Sequence, residues 1–449
     1  MTLFDHNQVV QTIAETTPFR LTGRVSSVTG LLVEGTVPGA HLGMMCRLRR
    51  PGTKMSEAVP AEIVALRGNM ASLMPLSGVQ GIHSGTEIFG TPQQPQVTVG
   101  DGLLGRVLDG WGHPIDSLGS LSRSGQTYNY ALDPPPFNPL ERSFVERRLS
   151  VGVRAIDTLL TCGEGQRLAI LSGAGVGKST LLGMMARNTE ADVTVIGLIG
   201  ERSREVKRFV ERDLGPNGLR HAVVIAATAD HAPALRVRAA RVATSVAEYF
   251  RDQGKRVLLL MDSLSRVAMA QRELGLAVGE PPATKGYPPS AFAIIPRLLE
   301  RAGPGVGSGS ITAFYTVLLE ADDLGDPIGD AVRATTDGHI VLSRKLSDRG
   351  HFPSIDPLHS VSRVMPEVTT PRHMRAAMKV REIMADYREV EELVTLGAYE
   401  RGTSPRFDRA LNAFPVLQKW LAQETGEVAD VNKSMEMLYS LVDRYGANL

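Results

Sequence analysis

The sequence predicts an α/β core, with a small N-terminal β-barrel before it and a C-terminal helical domain after it. Three observations predict this. Between about Arg20 and Gly90 the chain consists of short apolar pieces broken by Gly and Pro, the mark of short, evenly spaced strands. From Arg167 onward, Val/Ile/Leu runs alternate with helix-prone stretches, which implies a parallel sheet covered on both faces. Past Thr369 the strands stop and three amphipathic stretches follow. At 449 residues the chain is too long for one ordinary core.

Taken in order, Met1 to Thr17 reads as a short helix or an arm. The barrel pieces include Leu31-Leu32-Val33, Ala61 to Leu66 and Ala71 to Met74. They offer no clustered catalytic side chains, so this part reads as an assembly collar. Arg47, Arg49 and Arg50 are either a basic contact patch or the solvated face of a strand. Thr91 to Gln96 is polar and holds Pro92 and Pro95, a natural boundary. Asp133 to Pro139 is a second stiff stretch that can be neither helix nor central strand.

Beyond it, strands are expected at Arg167–Ser172, Val193–Gly200, Ala222–Ala227, Val257–Asp262, Ser310–Leu319 and His339–Ser343. Helices are expected at Thr180–Asn188, Arg204–Asp213, Ala232–Asp252, Leu264–Glu273 and Ser290–Arg301. The terminal helices are Met374–Leu396, Arg406–Gln423 and Val428–Tyr445, with charge pairs such as Arg388 and Glu391 or Glu392 on their exposed faces. The expected domains are residues 1–96, 97–368 and 369–449.

Composition narrows the function. A formal net charge of +1 argues against a wide nucleic-acid footprint. Cys46 and Cys162 cannot make a disulfide framework and point to reduced thiols. The start lacks the basic-then-apolar order of a signal peptide, and no apolar run approaches the ~20 residues of a membrane span. A cytoplasmic protein is expected.

The chemistry centres on Leu171 to Thr180, Leu-Ser-Gly-Ala-Gly-Val-Gly-Lys-Ser-Thr. An apolar run leads in and a helix-prone run leads out. Glycines between them let backbone N–H groups converge on an anion, and the helix start adds a favourable dipole. Gly173, Ala174, Gly175, Val176, Gly177, Lys178, Ser179 and Thr180 form the phosphate cradle. Lys178 reaches the β/γ-phosphates and the Ser179 hydroxyl suits Mg²⁺. Ser172 stands where the motif's first Gly belongs; a glycine-rich turn that binds nothing is the competing reading.

Val257 to Asp262 is an apolar strand ending in a carboxylate. Beside a phosphate loop, Asp262 suits Mg²⁺ through water; it could otherwise cap a helix. Glu201, after another apolar strand, could orient an attacking water. Arg202 could steady a phosphate or merely pair with Glu205. Phe352 is either core or a ring that stacks on a base. Arg363, in a polar loop, means little by itself.

Together the loop, Gly200 to Glu205, Asp262 and Ser360-Val-Ser-Arg363 resemble the catalytic subunits of the rotary-ATPase superfamily, and within it the ATPases of flagellar type III protein export. Val151 to Asp157, Leu159 to Gly163, Met261 to Arg266, Ala270 to Glu273, Gly279 to Pro282, Lys285 to Ser290 and Ile311 to Val317 carry the same resemblance, as does Gly105 to Asp109. It implies a RecA-like core, ATP and Mg²⁺ as cofactors, and Glu201 polarising the lytic water. It implies Arg202 and Arg266 on the γ-phosphate side, Asp262 at the metal, Phe352 on the adenine face, and Arg363 offered to a neighbouring subunit's nucleotide.

One chain carries both Glu201 and Arg363, so a ring of identical chains would have every interface competent, and a homohexamer is expected. Gly279 to Pro288 and Ala321 to Pro327 would face its centre. Asp322, Asp323 and Asp326 make the second loop acidic and suit a basic central stalk. The resemblance further implies a coiled-coil central stalk protein, a regulatory or peripheral stalk protein, export cargo and chaperones as partners. It implies peripheral association with the export gate at the inner face of the cytoplasmic membrane, and no nucleic acid. A virulence type III secretion ATPase, a catalytic subunit of an ion-translocating rotary ATPase, a ring helicase and a nucleotide-dependent scaffold stand as alternatives.

Overall fold

The computed structural model describes residues 21–91, 94–121 and 125–446, so the arm expected over Met1 to Thr17 lies outside the described residues. Contacts divide the chain into two compact units, one ending at Pro95 and one running from Gln96.

In the first unit, β1 (Gly23–Thr29), β2 (Leu32–Thr36), β3 (Met45–Arg49), β4 (Val59–Arg67), β5 (Met70–Pro75) and β6 (Glu87–Thr91) close into a barrel in the order β1-β2-β5-β4-β3-β6. All its pairings are antiparallel, and Gly23 beside Ile88 closes the ring. Val25, Val33, Leu48, Ile63, Leu73 and Ile88 fill the interior, because alternate strand residues point to one face. Arg49 bonds Glu87 at 2.6 Å and stacks over Phe89. That residue belongs to a solvated strand face.

The second unit is built on a sheet of β7 (Val107–Leu108), β8 (Arg167–Ser172), β9 (Val193–Ile199), β10 (Ala222–Ala227), β11 (Arg256–Asp262), β12 (Ser310–Leu318), β13 (Gly338–Leu342) and β14 (Val361–Ser362). Their order is β14-β13-β8-β12-β11-β9-β10-β7. All neighbours run parallel except β13 and β14. Every residue of β9 and β10 is buried, as the unbroken apolar runs demand of strands covered on both faces.

The covering helices include α1 (Lys178–Asn188), α2 (Ser203–Arg208), α3 (Pro233–Asp252), α4 (Leu264–Ala277), α5 (Pro289–Leu299) and α6 (Pro327–Thr335). The last was not expected from the sequence; Asp326 starts it by accepting bonds from the Ile328 and Gly329 amides. The stretch expected to be helical through Asp213 changes after Arg208 into a π-type turn, Phe209–Leu214.

Past β14 come α7 (Pro371–Thr395), α8 (Pro405–Leu421) and α9 (Val431–Tyr445). Helix α7 starts three residues before its expected beginning, because proline at a first helical position forfeits no hydrogen bond and Thr370 accepts from the His373 amide at 3.2 Å. Val380, Ile383, Leu417 and Leu438 pack in one apolar core with Ile156, Leu182 and Met185. Each such side chain contributes roughly 1.5–3 kcal/mol when removed from water. The terminal helices are therefore fixed to the sheet unit. Among the described residues no helix is long and apolar enough to cross a membrane.

Candidate active site

The site forms at the carboxyl end of β8. Ser172, its last residue, lies beside Leu318 and Leu342 in the parallel register, and the chain then turns through Gly173 to Gly177 into α1. Gly175 and Gly177 adopt φ of +79° and +93°, backbone that L side chains rarely take. The turn is held from behind. Ser354 Oγ donates to the Val176 carbonyl at 2.6 Å and Arg344 Nη2 to the Ala174 carbonyl at 3.0 Å. Both carbonyls are thus occupied, which leaves the amides on the other side of the turn for an anion.

Lys178 opens α1 and is bonded to Asp262 Oδ1 and, at 3.4 Å, to Glu201 Oε1. Burial alone would lower its pKa, but the Asp262 and Glu201 carboxylates outweigh that and hold the ammonium above its ordinary value. Asp262 is only 2% exposed. Its other bond comes from Thr316 Oγ1 at 2.8 Å, a residue of β12 that the sequence reading missed. It is not a helix cap: Ser263 fills that place before α4. Asp262 instead closes a Thr316–Asp262–Lys178 chain across three neighbouring strand ends.

Glu201 reaches the cluster because Gly200, at φ +71°, turns the chain sharply out of β9. A side chain at Gly200 would also strike the Arg266 Cβ at 2.7 Å, so Arg266 of α4 lies against this turn. Its Nε is buried with no hydrogen-bond acceptor among the described residues, and Nη1 meets only the Met269 sulfur at 3.8 Å. A buried donor without an acceptor is costly, and the Arg266 Nε is such a donor beside the Gly200 turn. Ser179 follows Lys178 on the first turn of α1, half-buried, and its hydroxyl stands on the same helix start.

A groove of about 780 Å³ adjoins the loop, lined by Gly177, Thr180, Leu181, Phe352, Gln423 and Thr425 among others. Phe352 is 43% exposed, so it is not core; the Gln423 amide donates to its carbonyl at 2.9 Å. A flat apolar ring beside polar groups suits a heterocyclic base. The wall formed by Ala422, Gln423, Glu424, Thr425 and Glu427 was not found from sequence, because it follows α8, seventy residues past Phe352.

Two predicted residues stay outside this cluster. Arg202 caps α2 with its side chain in solvent, paired with Glu205 at 3.7 Å. Arg363 follows β14, whose Ser362 lies beside Gly338. Gly338 is four residues back along β13 from Leu342, the neighbour of Ser172, which is roughly 13 Å along the strand. The Arg363 side chain points farther away, with Nη1 3.4 Å from the Thr336 carbonyl.

The acidic loop also differs from expectation. Asp322 pairs with Arg344 at 2.6 Å, Asp323 with Lys285 at 3.5 Å, and Asp326 is buried as the α6 cap. Its charges are engaged within the chain, though Lys285–Asp323 does bring the two predicted central loops together.

Comparison with known proteins identifies the family. Residues 152–362 match the model of the ATP synthase alpha/beta family nucleotide-binding domain, 25–91 that family's beta-barrel domain, and 369–440 the T3SS EscN ATPase C-terminal domain. The chain is 46% identical to the flagellum-specific ATP synthase of Bacillus subtilis, over 96% of this chain and 98% of that protein. It is likewise 46% identical to the type 3 secretion system ATPase of Sinorhizobium fredii, over 92% and 90%. The assembled ATPase EscN of the enteropathogenic E. coli type III secretion system superimposes with a TM-score of 0.87 at 42% identity, over 94% of this chain and 100% of that one; EscN has also been solved in complex with its central stalk EscO. The chain belongs to the ATP synthase alpha/beta family, in its branch of flagellum-specific ATP synthases and type 3 secretion system ATPases, and is an ATP-hydrolysing enzyme.

Proposed function

We propose that the chain energises or initiates flagellar type III protein export as a homohexameric ring whose nucleotide sites lie between subunits. One observation carries this: Lys178, Glu201 and the buried Asp262 cluster at the carboxyl ends of β8, β9 and β11, whereas the exposed Arg363 follows the edge strand β14 beside the start of β13. Neither can complete the other within one chain. A heterologous ring contact brings one subunit's Arg363 end to the next subunit's loop end.

In this reading the turn from Gly173 to Thr180 cradles the phosphates and Lys178 trades its carboxylate partners for the β/γ-oxygens. Glu201, released from Lys178, accepts a hydrogen bond from the attacking water and orients it in line with the γ-phosphorus. Arg266, with its unfilled Nε, steadies the γ-phosphate; Arg202 joins it only if its pairing with Glu205 opens. The neighbour's Arg363 meets the charge that develops in the transition state. Phe352 stacks on the adenine. The Ser179 hydroxyl and the buried Asp262 carboxylate would hold Mg²⁺, which would supply positive charge against the phosphates.

The boundaries 1–96, 97–368 and 369–449 then divide the chain into collar, motor and peripheral helices. EscN's complex with its central stalk supports a coiled-coil stalk protein as a partner here. A regulatory or peripheral stalk protein, export chaperones with their cargo, and the membrane export gate complete the set. Likeness to EscN favours a second reading, a virulence secretion ATPase. Replacing the chromosomal gene with a Glu201→Gln version decides between them. Loss of motility with secretion intact supports flagellar export, and the reverse supports the second reading. Purified chain that forms rings and hydrolyses ATP alone supports the homomeric site; a requirement for a second subunit type contradicts it.

A further inference from the structure

Arg388 on α7 does not pair with Glu391 or Glu392 as the helix spacing suggested. Its Nη2 reaches the Asp356 carboxylate at 2.6 Å, and Nη1 lies 3.2 Å from His359 Nδ1. Two turns earlier on the same face, Arg381 donates to the Ser360 carbonyl at 2.9 Å. Both arginines therefore hold one turn, Asp356 to Ser360, which leads directly into β14 and Arg363.

That turn is otherwise tightly built. Asp356, 4% exposed, accepts the Leu358 amide at 3.0 Å and the His359 ring at 2.9 Å. Ser360 Oγ donates to the Asp356 carbonyl at 2.6 Å and accepts from the Val341 amide at 2.9 Å. His339 on β13 approaches the His359 carbonyl at 3.1 Å. Burial would raise the Asp356 pKa, yet Arg388 and His359 hold it below the usual carboxylate range. A buried carboxylate stays ionised only while its cation stays. Removing the Arg388 charge therefore loosens the turn itself.

We propose that Arg388 and Arg381 are positioning residues for Arg363, so that a subunit's C-terminal helices set the catalytic competence of its neighbour's nucleotide site. The inference rests on the reading of Arg363 as the residue offered across the interface. The same helical region supplies Gln423 and Thr425 to the groove beside that subunit's own loop. One rigid body thus contacts its own nucleotide at the base and the next subunit's nucleotide through Arg363. Arg381 and Arg388 touch neither nucleotide directly; their whole effect on turnover passes through the Asp356–Arg363 segment.

A double-mutant cycle tests this with full-length rings. Arg388→Ala should lower kcat roughly ten-fold, the scale of side chains coupled within one network. KM for ATP, nucleotide affinity and ring size should stay as they are, and Arg388→Lys should restore part of the loss, because its ammonium can still pair with Asp356. In an Arg363→Ala background the same change should cost nothing further. An equal loss in both backgrounds would mean that Arg388 acts elsewhere and overturns the proposal, as would Arg388→Ala rings with wild-type kcat. If Arg363→Ala itself leaves turnover unchanged, the interface reading fails first and takes the proposal with it. Arg381→Leu, which removes the donor and keeps the helix, supplies a second entry into the cycle: it should lower kcat in the native background only, and equal losses in both backgrounds contradict the positioning role.

Discussion

The two ends of the parallel sheet differ in kind. At the carboxyl end of β8, the half-buried Lys178 pairs with both the half-buried Glu201 and the buried Asp262. At the β14 edge, Arg363 is exposed; its amide donates to the Asp337 carbonyl at 2.9 Å, and its side chain lies 3.4 Å from the Thr336 carbonyl. Burial at the first end explains how a lysine and two carboxylates can be poised to exchange partners when a triphosphate arrives. Exposure at the second leaves the Arg363 guanidinium without a carboxylate partner among the described residues. In the proposed ring this difference would divide binding and chemistry between subunits: the loop end would grip the nucleotide, and the edge would supply charge to the neighbouring site.

The largest expected effect lies at the exposed end. Arg363→Ala should cut ring turnover by roughly 10³ or more, the scale of an arginine finger, with ATP affinity of the isolated chain unchanged in a binding titration. An effect below ten-fold would remove the distinction between the two ends. Next, Glu201→Gln should lower turnover by about 10²–10⁴ while fluorescent-nucleotide binding persists; lost binding would place Glu201 in the fold rather than in the chemistry. Phe352→Ala should weaken ATP binding by roughly 3- to 10-fold through lost stacking and raise KM more than it lowers kcat.

The smallest effect concerns pH. Burial holds His339, His351 and His373 below the ordinary histidine value of 6.5. The unfolded chain therefore binds more protons in acid, so the stability from keeping these rings neutral is present above pH 6.5 and is lost as pH falls below it. A melting temperature that declines from that point, and declines less in His339→Gln, would show acid weakening on the Arg363 side first, since His339 faces the turn before β14.

Much of this was readable in the sequence. Short apolar pieces broken by Gly and Pro gave the barrel, and unbroken Val/Ile/Leu runs gave the buried strands β9 and β10. The glycine-rich turn and the strand-end carboxylates marked the site, because each residue type there answers a local physical need. What escaped was long-range. Thr316 looks like any β-branched strand residue until β12 is placed beside β11. The groove wall at Ala422 to Glu427 joins Phe352 only when α8 packs back. Arg388 looks like half of a surface pair with Glu391 because the i, i+3 rule sees a single helix, yet Asp356 from another element claims it. Asp322, Asp323 and Asp326 looked free for a partner for the same reason.

The division of labour between the two ends has one direct test. Chains carrying Glu201→Gln retain Arg363, and chains carrying Arg363→Ala retain Glu201; each alone should form inactive rings. Mixed in equal amounts and allowed to assemble, random neighbours place an intact loop end against an intact Arg363 at about a quarter of interfaces. The account predicts that turnover returns to roughly that fraction of the unmodified ring. If Arg363 serves the site of its own chain, no mixture of the two variants will regain activity at any ratio.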